Sequence, residues 1–117
     1  MDSGVETSHP EFVGKNITNV FSLNDTFVDN KGHGTALASL IVGNNCGLTD
    51  AHIKSVKIFD TTQTTLISDL VDAFDAIITD FVNSGSSPSI VNMSWNIPQN
   101  TYVEVKLIEL LSYGIIL

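Results

Sequence analysis

The chain has 117 residues, 43% of them apolar, and its acids outnumber its bases 13 to 5 for a formal charge of −8. That composition fits one small globular domain and argues against disorder. It also argues against nucleic-acid and anionic-membrane partners, which need clustered Lys and Arg, and no apolar run reaches the ~18 residues of a membrane span.

In chain order, Met1 is followed at once by the turn-like stretch "DSGVE". Glu11–Asp25 reads as loop with short β-prone pieces. His33–Gly43, "HGTALASLIVG", reads as a helix: Ala36, Leu37, Leu40 and Ile41 follow helical spacing and Gly43 is a fitting stop. Its surface is nearly all apolar, so burial is expected. The lone Cys46 excludes an internal disulfide and reads as a small loop residue.

Ile53–Phe59 is an apolar, β-branched strand candidate. After the link "DTTQTT", Leu66–Val82 carries apolar residues at 67, 70, 71, 74, 77, 78 and 81. Steps of three and four mark an amphipathic helix of about four turns. Asp69, Asp72, Asp75 and Asp80 mostly fall on its solvated face. "SGSSPS" is a loop, and "IVNMSW", Ile90–Trp95, is a second strand. Thr101–Gly114 is a further helix, with Val103, Leu107, Leu110 and Leu111 inward. "IIL" at 115–117 opens a third strand that stops abruptly. Both ends therefore read as those of a piece of a larger domain.

Strand, helix, strand, helix, strand implies a parallel sheet, hence an α/β fold of three layers, mainly parallel, with helices on both faces. In such sheets chemistry collects at the carboxyl ends of strands. Here those ends carry Phe59–Asp60 and Trp95–Asn96.

Three histidines are candidates for chemistry. His9 precedes a proline in a loop and His52 precedes a strand. His33 lies between two glycines at a helix start. There the partial positive charge of the helix end favours a neutral ring, as a general base requires. Asp29, four residues earlier, reads as a cap or an orienting acid. Asp2, beside Ser3 and Gly4, reads as a turn aspartate or a strand-end acid. Asp29 and His33 with His9 or His52 could also ligate a metal, but the spacings of zinc and calcium motifs are absent. A phosphoacceptor or small-ligand domain using Asp2 or Asp60 is a further reading, weakened because no glycine-rich phosphate loop follows any strand.

Together, "DSGVETSHPEF", "GHGTALASLIVG", "VKIFD", "IVNMSW" and "LIELLSYGIIL" resemble the subtilisin-like serine peptidases, the proteinase K-like branch above all. The order is that family's order over nearly the whole chain. The resemblance implies an Asp-His-Ser triad with Asp2 and His33 as its first two members. Ser94, Trp95 and Asn96 would line the cleft and pair with an extended substrate, and Gln63, Thr64 and Thr65 would form the opposite wall. The oxyanion asparagine and the serine nucleophile have no match in the chain, so it is expected to be inactive alone.

The resemblance further implies a protein or peptide substrate and a secreted or vacuolar location. It admits a structural calcium, and as partners a propeptide or the remainder of the same catalytic domain. Asn16–Thr18 and Asn24–Thr26 form sequons that would permit glycosylation. The chain departs from the family pattern at Ala36, where a second histidine is usual, and at Asn96 and Gln63–Thr65, where glycines are usual. A peptide-binding pseudoenzyme on the same fold is therefore the alternative.

Overall fold

A computed structural model of the chain describes residues 1–61, 65–85 and 87–117. Its elements are a 3-10 turn at Pro10–Phe12, β1 (Ile17–Ser22), α1 (His33–Val42), β2 (Ile53–Lys57), α2 (Ile67–Asn83) and α3 (Thr101–Ser112).

β1 and β2 pair in parallel from Ile17 opposite Ile53 to Ser22 opposite Lys57, with a register slip between Asn19 and Phe21. The ladder runs on beyond these two strands. Asp2 bridges Lys57 in parallel; its N–H donates to Val56 O at 2.9 Å and its carbonyl accepts from Ile58 N at 2.8 Å. Met1 N donates to Asn92 O on the other side, at 3.2 Å. Ile90 in turn bridges Ile116 in parallel. The spatial order is thus β1, β2, Met1–Asp2, Ile90–Asn92, Ile116. The first two residues lie in the middle of the array, which buries Asp2 to 7% exposure.

Two apolar clusters flank these segments. The larger gathers Val56, Ile58, Leu70, Phe74, Phe81, Val103, Leu110 and Ile115 between β2, α2 and α3. The smaller holds Val5, Phe12, Ala38 and Val42, with Ile17 and Ile53 against it. Val56 and Ile58 thus meet one cluster and Ile53 the other, as the alternation of a strand dictates. Burial of a side chain such as Phe74 or Leu70 contributes about 1.5–3 kcal/mol.

Several expectations change. Glu11–Asp25 is not all loop, since "ITNVFS" is strand β1. The strand read at Ile53–Phe59 ends at Lys57, the last of its residues with a bridge partner, opposite Ser22 on one side and Asp2 on the other. Ile90–Trp95 and Ile115–Leu117 are extended, but each contributes a single bridge rather than a regular strand. The 90s segment still alternates: Val91, Met93, Trp95 and Ile97 pack on the larger cluster.

Helix α1 is not buried all round. Ala38 and Val42 face inward, whereas Ala36 and Leu40 are exposed. Helix α3 buries Val103 and Leu110 but leaves Leu111 exposed. Helix α2 matches its periodicity, with Leu70, Phe74, Ile78 and Phe81 inward. Two of its acids are committed to ion pairs, Asp80 with Lys54 and Asp75 with Lys106. Among the described residues, no helix is long and apolar enough to cross a membrane.

Candidate active site

The start of α1 meets the buried end of the first segment. Gly32 caps the helix in the left-handed region, φ 78°, so His33 becomes its first residue. Gly34 makes the approach possible. A Cβ there would stand 2.2 Å from Gly4 O and 3.3 Å from the Asp2 Cβ. Any side chain at 34 would therefore push α1 off the Asp2–Gly4 backbone.

The free N–H groups of the helix end are satisfied by neighbours instead of a conventional cap. Gly34 N donates to Ser3 Oγ at 3.0 Å and Thr35 N to Asp29 Oδ2 at 2.8 Å. Asp29 also accepts from Ser3 Oγ, Thr35 Oγ1, Lys31 N and Gly32 N. Partial burial pushes the Asp29 carboxyl up. The donors of Thr35, Ser3 and Lys31 outweigh it and hold the group below the usual aspartate range. Thr35 Oγ1 then accepts from Glu6 N at 2.9 Å, which ties α1 to the chain's first loop.

Within this frame His33 Nδ1 stands 2.7 Å from Asp2 Oδ1. Asp2 also takes the Ser3 N–H on that oxygen, at 2.8 Å. An ionised carboxylate only accepts, so the ring donates from Nδ1 and its Nε2 lone pair is left open. The two partners differ in exposure: the aspartate side chain is 9% exposed and the histidine 56%. One face of the pair is therefore sealed and the other is open to a ligand. Such a pair can hold the imidazole in one tautomer, accept a proton at Nε2 and stabilise the cation that results.

A cleft of about 560 Å³ opens on this histidine. Lys31 and His33 line it from the α1 start, Phe59 and Thr61 from the segment after β2, and Ser94, Trp95 and Asn96 from the 90s segment. Trp95 is fixed by a bond from its indole N–H to Met1 O, 3.0 Å, and by an edge-on contact with Phe59.

Of the residues picked from the sequence, Asp2, His33, Ser94, Trp95 and Asn96 come together here. Gln63 and Thr64 lie outside the described residues. Thr65 turns its hydroxyl to the Ile58 carbonyl. Phe59 lines the cleft as the strand-end residue that the sequence pointed to, and Lys31 and Thr61 line it without a sequence signal of their own. Ser3 had one, its place beside Asp2 in "DSG". The remaining histidines stand elsewhere: His9 caps the Pro10–Phe12 turn through Glu11 N, and His52 meets the Thr18 hydroxyl. Asp60 accepts from the Asn30 and Asn24 side-chain amides and lies 3.7 Å from Lys57 Nζ. Its carboxyl is held below the usual range, first by Asn30. Among the described residues no three carboxylate, imidazole or thiol groups converge, so the calcium that the resemblance admits has no charged ligand set within them.

The sequence model of the subtilase family matches residues 1–109. A subtilisin-like proteinase, Mp1, from Magnaporthiopsis poae is 33% identical over 100 residues, covering 80% of this chain and 25% of that protein. An alkaline proteinase from Hapsidospora chrysogena is 30% identical over 96 residues, covering 80% of the chain and 24% of the relative. The chain thus spans about a quarter of the length of the curated relatives it matches. Among solved structures, the prenylagaramide maturation protease PagA superposes with a TM-score of 0.69 at 23% identity, covering 97% of this chain and 41% of that one.

Proposed function

The chain belongs to the subtilase family, and from that premise we propose that it supplies the aspartate and histidine of a serine endopeptidase. Asp2 orients His33; His33 takes a proton from a serine hydroxyl as that oxygen attacks the peptide carbonyl, then returns it to the leaving amine. The 2.7 Å contact between His33 and the buried Asp2, open on its other side to the cleft, carries this reading. Ser94–Asn96, an extended segment along the cleft, is suited to pair with substrate backbone. Gln63, Thr64 and Thr65 complete the opposite wall in this reading.

The fold in this reading is the three-layer subtilisin-like α/β sandwich, with α1 on one face of the sheet and α2 and α3 on the other. The two separate apolar clusters support it. The serine and the oxyanion donor must come from outside Met1–Leu117, so the chain itself binds peptide without cleaving it. Remaining partners are a propeptide or the rest of the catalytic domain, and the setting is secreted or vacuolar. Asn96, a side chain facing the cleft, favours the second reading, a peptide-binding pseudoenzyme.

The test is hydrolysis of a chromogenic peptide amide by the chain and by a chimera in which Met1–Leu117 replaces the matching quarter of the Magnaporthiopsis poae proteinase. The chain is expected to be silent. The chimera is expected to turn over and to lose about 10⁴-fold or more with His33→Ala. A chimera that melts cooperatively yet is inactive supports the pseudoenzyme; hydrolysis that survives His33→Ala refutes the assigned base.

A further inference from the structure

We propose that Lys31 is a specificity determinant that selects peptides carrying an acidic side chain beside the bond facing His33. This inference rests on the cleft being a peptide site.

The chain has five basic residues, all lysines. Four are committed: Lys15 to Asp50, Lys54 to Asp80, Lys57 to Asp60, and Lys106 to Asp75 and Glu109. Lys31 makes no ion pair among the described residues. It is also the one lysine that lines the cleft. Its backbone is not free to wander, since its N–H donates to Asp29 Oδ1 at 3.0 Å and the next N–H, that of Gly32, donates to the same oxygen at 2.9 Å. The Asn30 side chain on its other flank is tied to Asp60 at 3.0 Å. The ammonium is thus carried on an anchored turn two residues before His33.

Among the described residues the one acid lining the cleft, Asp2, is sealed behind the imidazole. To a ligand, the cleft therefore presents a single uncommitted positive charge. The chain's formal charge is −8, but the acids nearest Lys31 are engaged elsewhere, Asp29 by the donors at the α1 start and Asp60 by Asn24, Asn30 and Lys57. More distant acids oppose an anionic peptide, but at ~0.15 M salt charges beyond about 8 Å are largely screened. A carboxylate that reaches Lys31 directly is governed by the near charge. Because the site is open to water, the effect is modest. An exposed pair of this kind changes affinity by about two- to five-fold.

The experiment measures binding of a fluorescent hexapeptide series to the chain by anisotropy, with Glu, Gln or Lys walked through each position, at ~0.15 M and ~1 M salt. The expected result is a Glu preference of about two- to five-fold over Gln at one position, with Lys weakest there, shrinking toward unity at high salt. Lys31→Glu is expected to invert the ranking at that position. The same series, read as kcat/KM on the chimera, gives an independent measure. Binding with no position that ranks Glu above Gln, or a ranking that Lys31→Glu leaves in place, overturns the proposal while the peptide-site reading stands. Absence of binding by every peptide, neutral ones included, overturns both.

Discussion

Gly34→Ala tests the geometry of the site against the ordinary rule for helices. In an exposed helix interior, replacing Gly by Ala stabilises by about 1 kcal/mol, because glycine loses more backbone freedom on folding. Gly34 lies in the first turn of α1 and is buried against the Asp2–Gly4 backbone. The added methyl would stand 2.2 Å from Gly4 O, where real Cβ contacts begin near 3.0 Å, so helix and loop must part by about 0.8 Å.

The obstacle is backbone rather than a flexible side-chain end, and both strands of the clash are anchored. Ser3 bonds Gly34 N, and Glu6 N bonds Thr35. Overpacking of a rigid site costs about 1–3 kcal/mol, which exceeds or at least cancels the propensity gain. The net expectation is a loss of up to about 2 kcal/mol rather than a gain. For a domain near this size, that lowers the melting temperature by up to ~16 °C. Urea melts of wild type and Gly34→Ala, with unchanged m-values, give the free-energy difference directly. Two-dimensional amide spectra report whether shifts concentrate at residues 2–6 and 33–36. A variant stabilised by about 1 kcal/mol, with a quiet spectrum there, would refute the close approach on which the His33–Asp2 contact depends.

Asp29 accepts five donors at the α1 start and its carboxyl is held below the usual range. A depressed folded value means that the stabilisation is present above the unfolded value of about 4 and is lost as pH falls through the lower folded value. Asp29→Asn should flatten that acid limb in urea melts across pH 2–6, taken at about one-unit steps; an unchanged limb would count against the capping network. Lys57 is fully buried, with its ammonium on Val28 O at 2.7 Å and near Asp60. Lys57→Ala strips that carbonyl of its donor and opens a cavity, and should cost roughly 3 kcal/mol or more, while Lys57→Met, which keeps the stem, should cost less; equal costs would deny the stem its packing role. Phe74→Ala, at the centre of the larger cluster and fully buried, should cost about 3–5 kcal/mol in the same assay. A loss below about 1 kcal/mol would mean that the cluster is not a packed core.

What the sequence determined by itself was local. The three- and four-residue steps of Leu66–Val82 define α2 within one residue at each end, because a helix closes its own hydrogen bonds and needs only one apolar face. "GHGT" and "DSG" marked His33 and Asp2 by type and surroundings, though neither alone told a catalytic pair from a capping histidine and a turn aspartate. Tertiary structure decided what depends on distant partners. "ITNVFS" becomes a strand because β2, some thirty residues later, offers it a parallel ladder. Ile90–Trp95 has strand composition but meets its neighbours at single bridges, so it stays extended without becoming regular. Leu40 and Leu111 are as apolar as Ala38 and Leu110, yet they point where no element of this chain covers them. The placement of Met1–Asp2 between β2 and the 90s segment is the decisive case. No periodicity records it, and together with the start of α1 it buries the carboxylate that His33 meets at 2.7 Å.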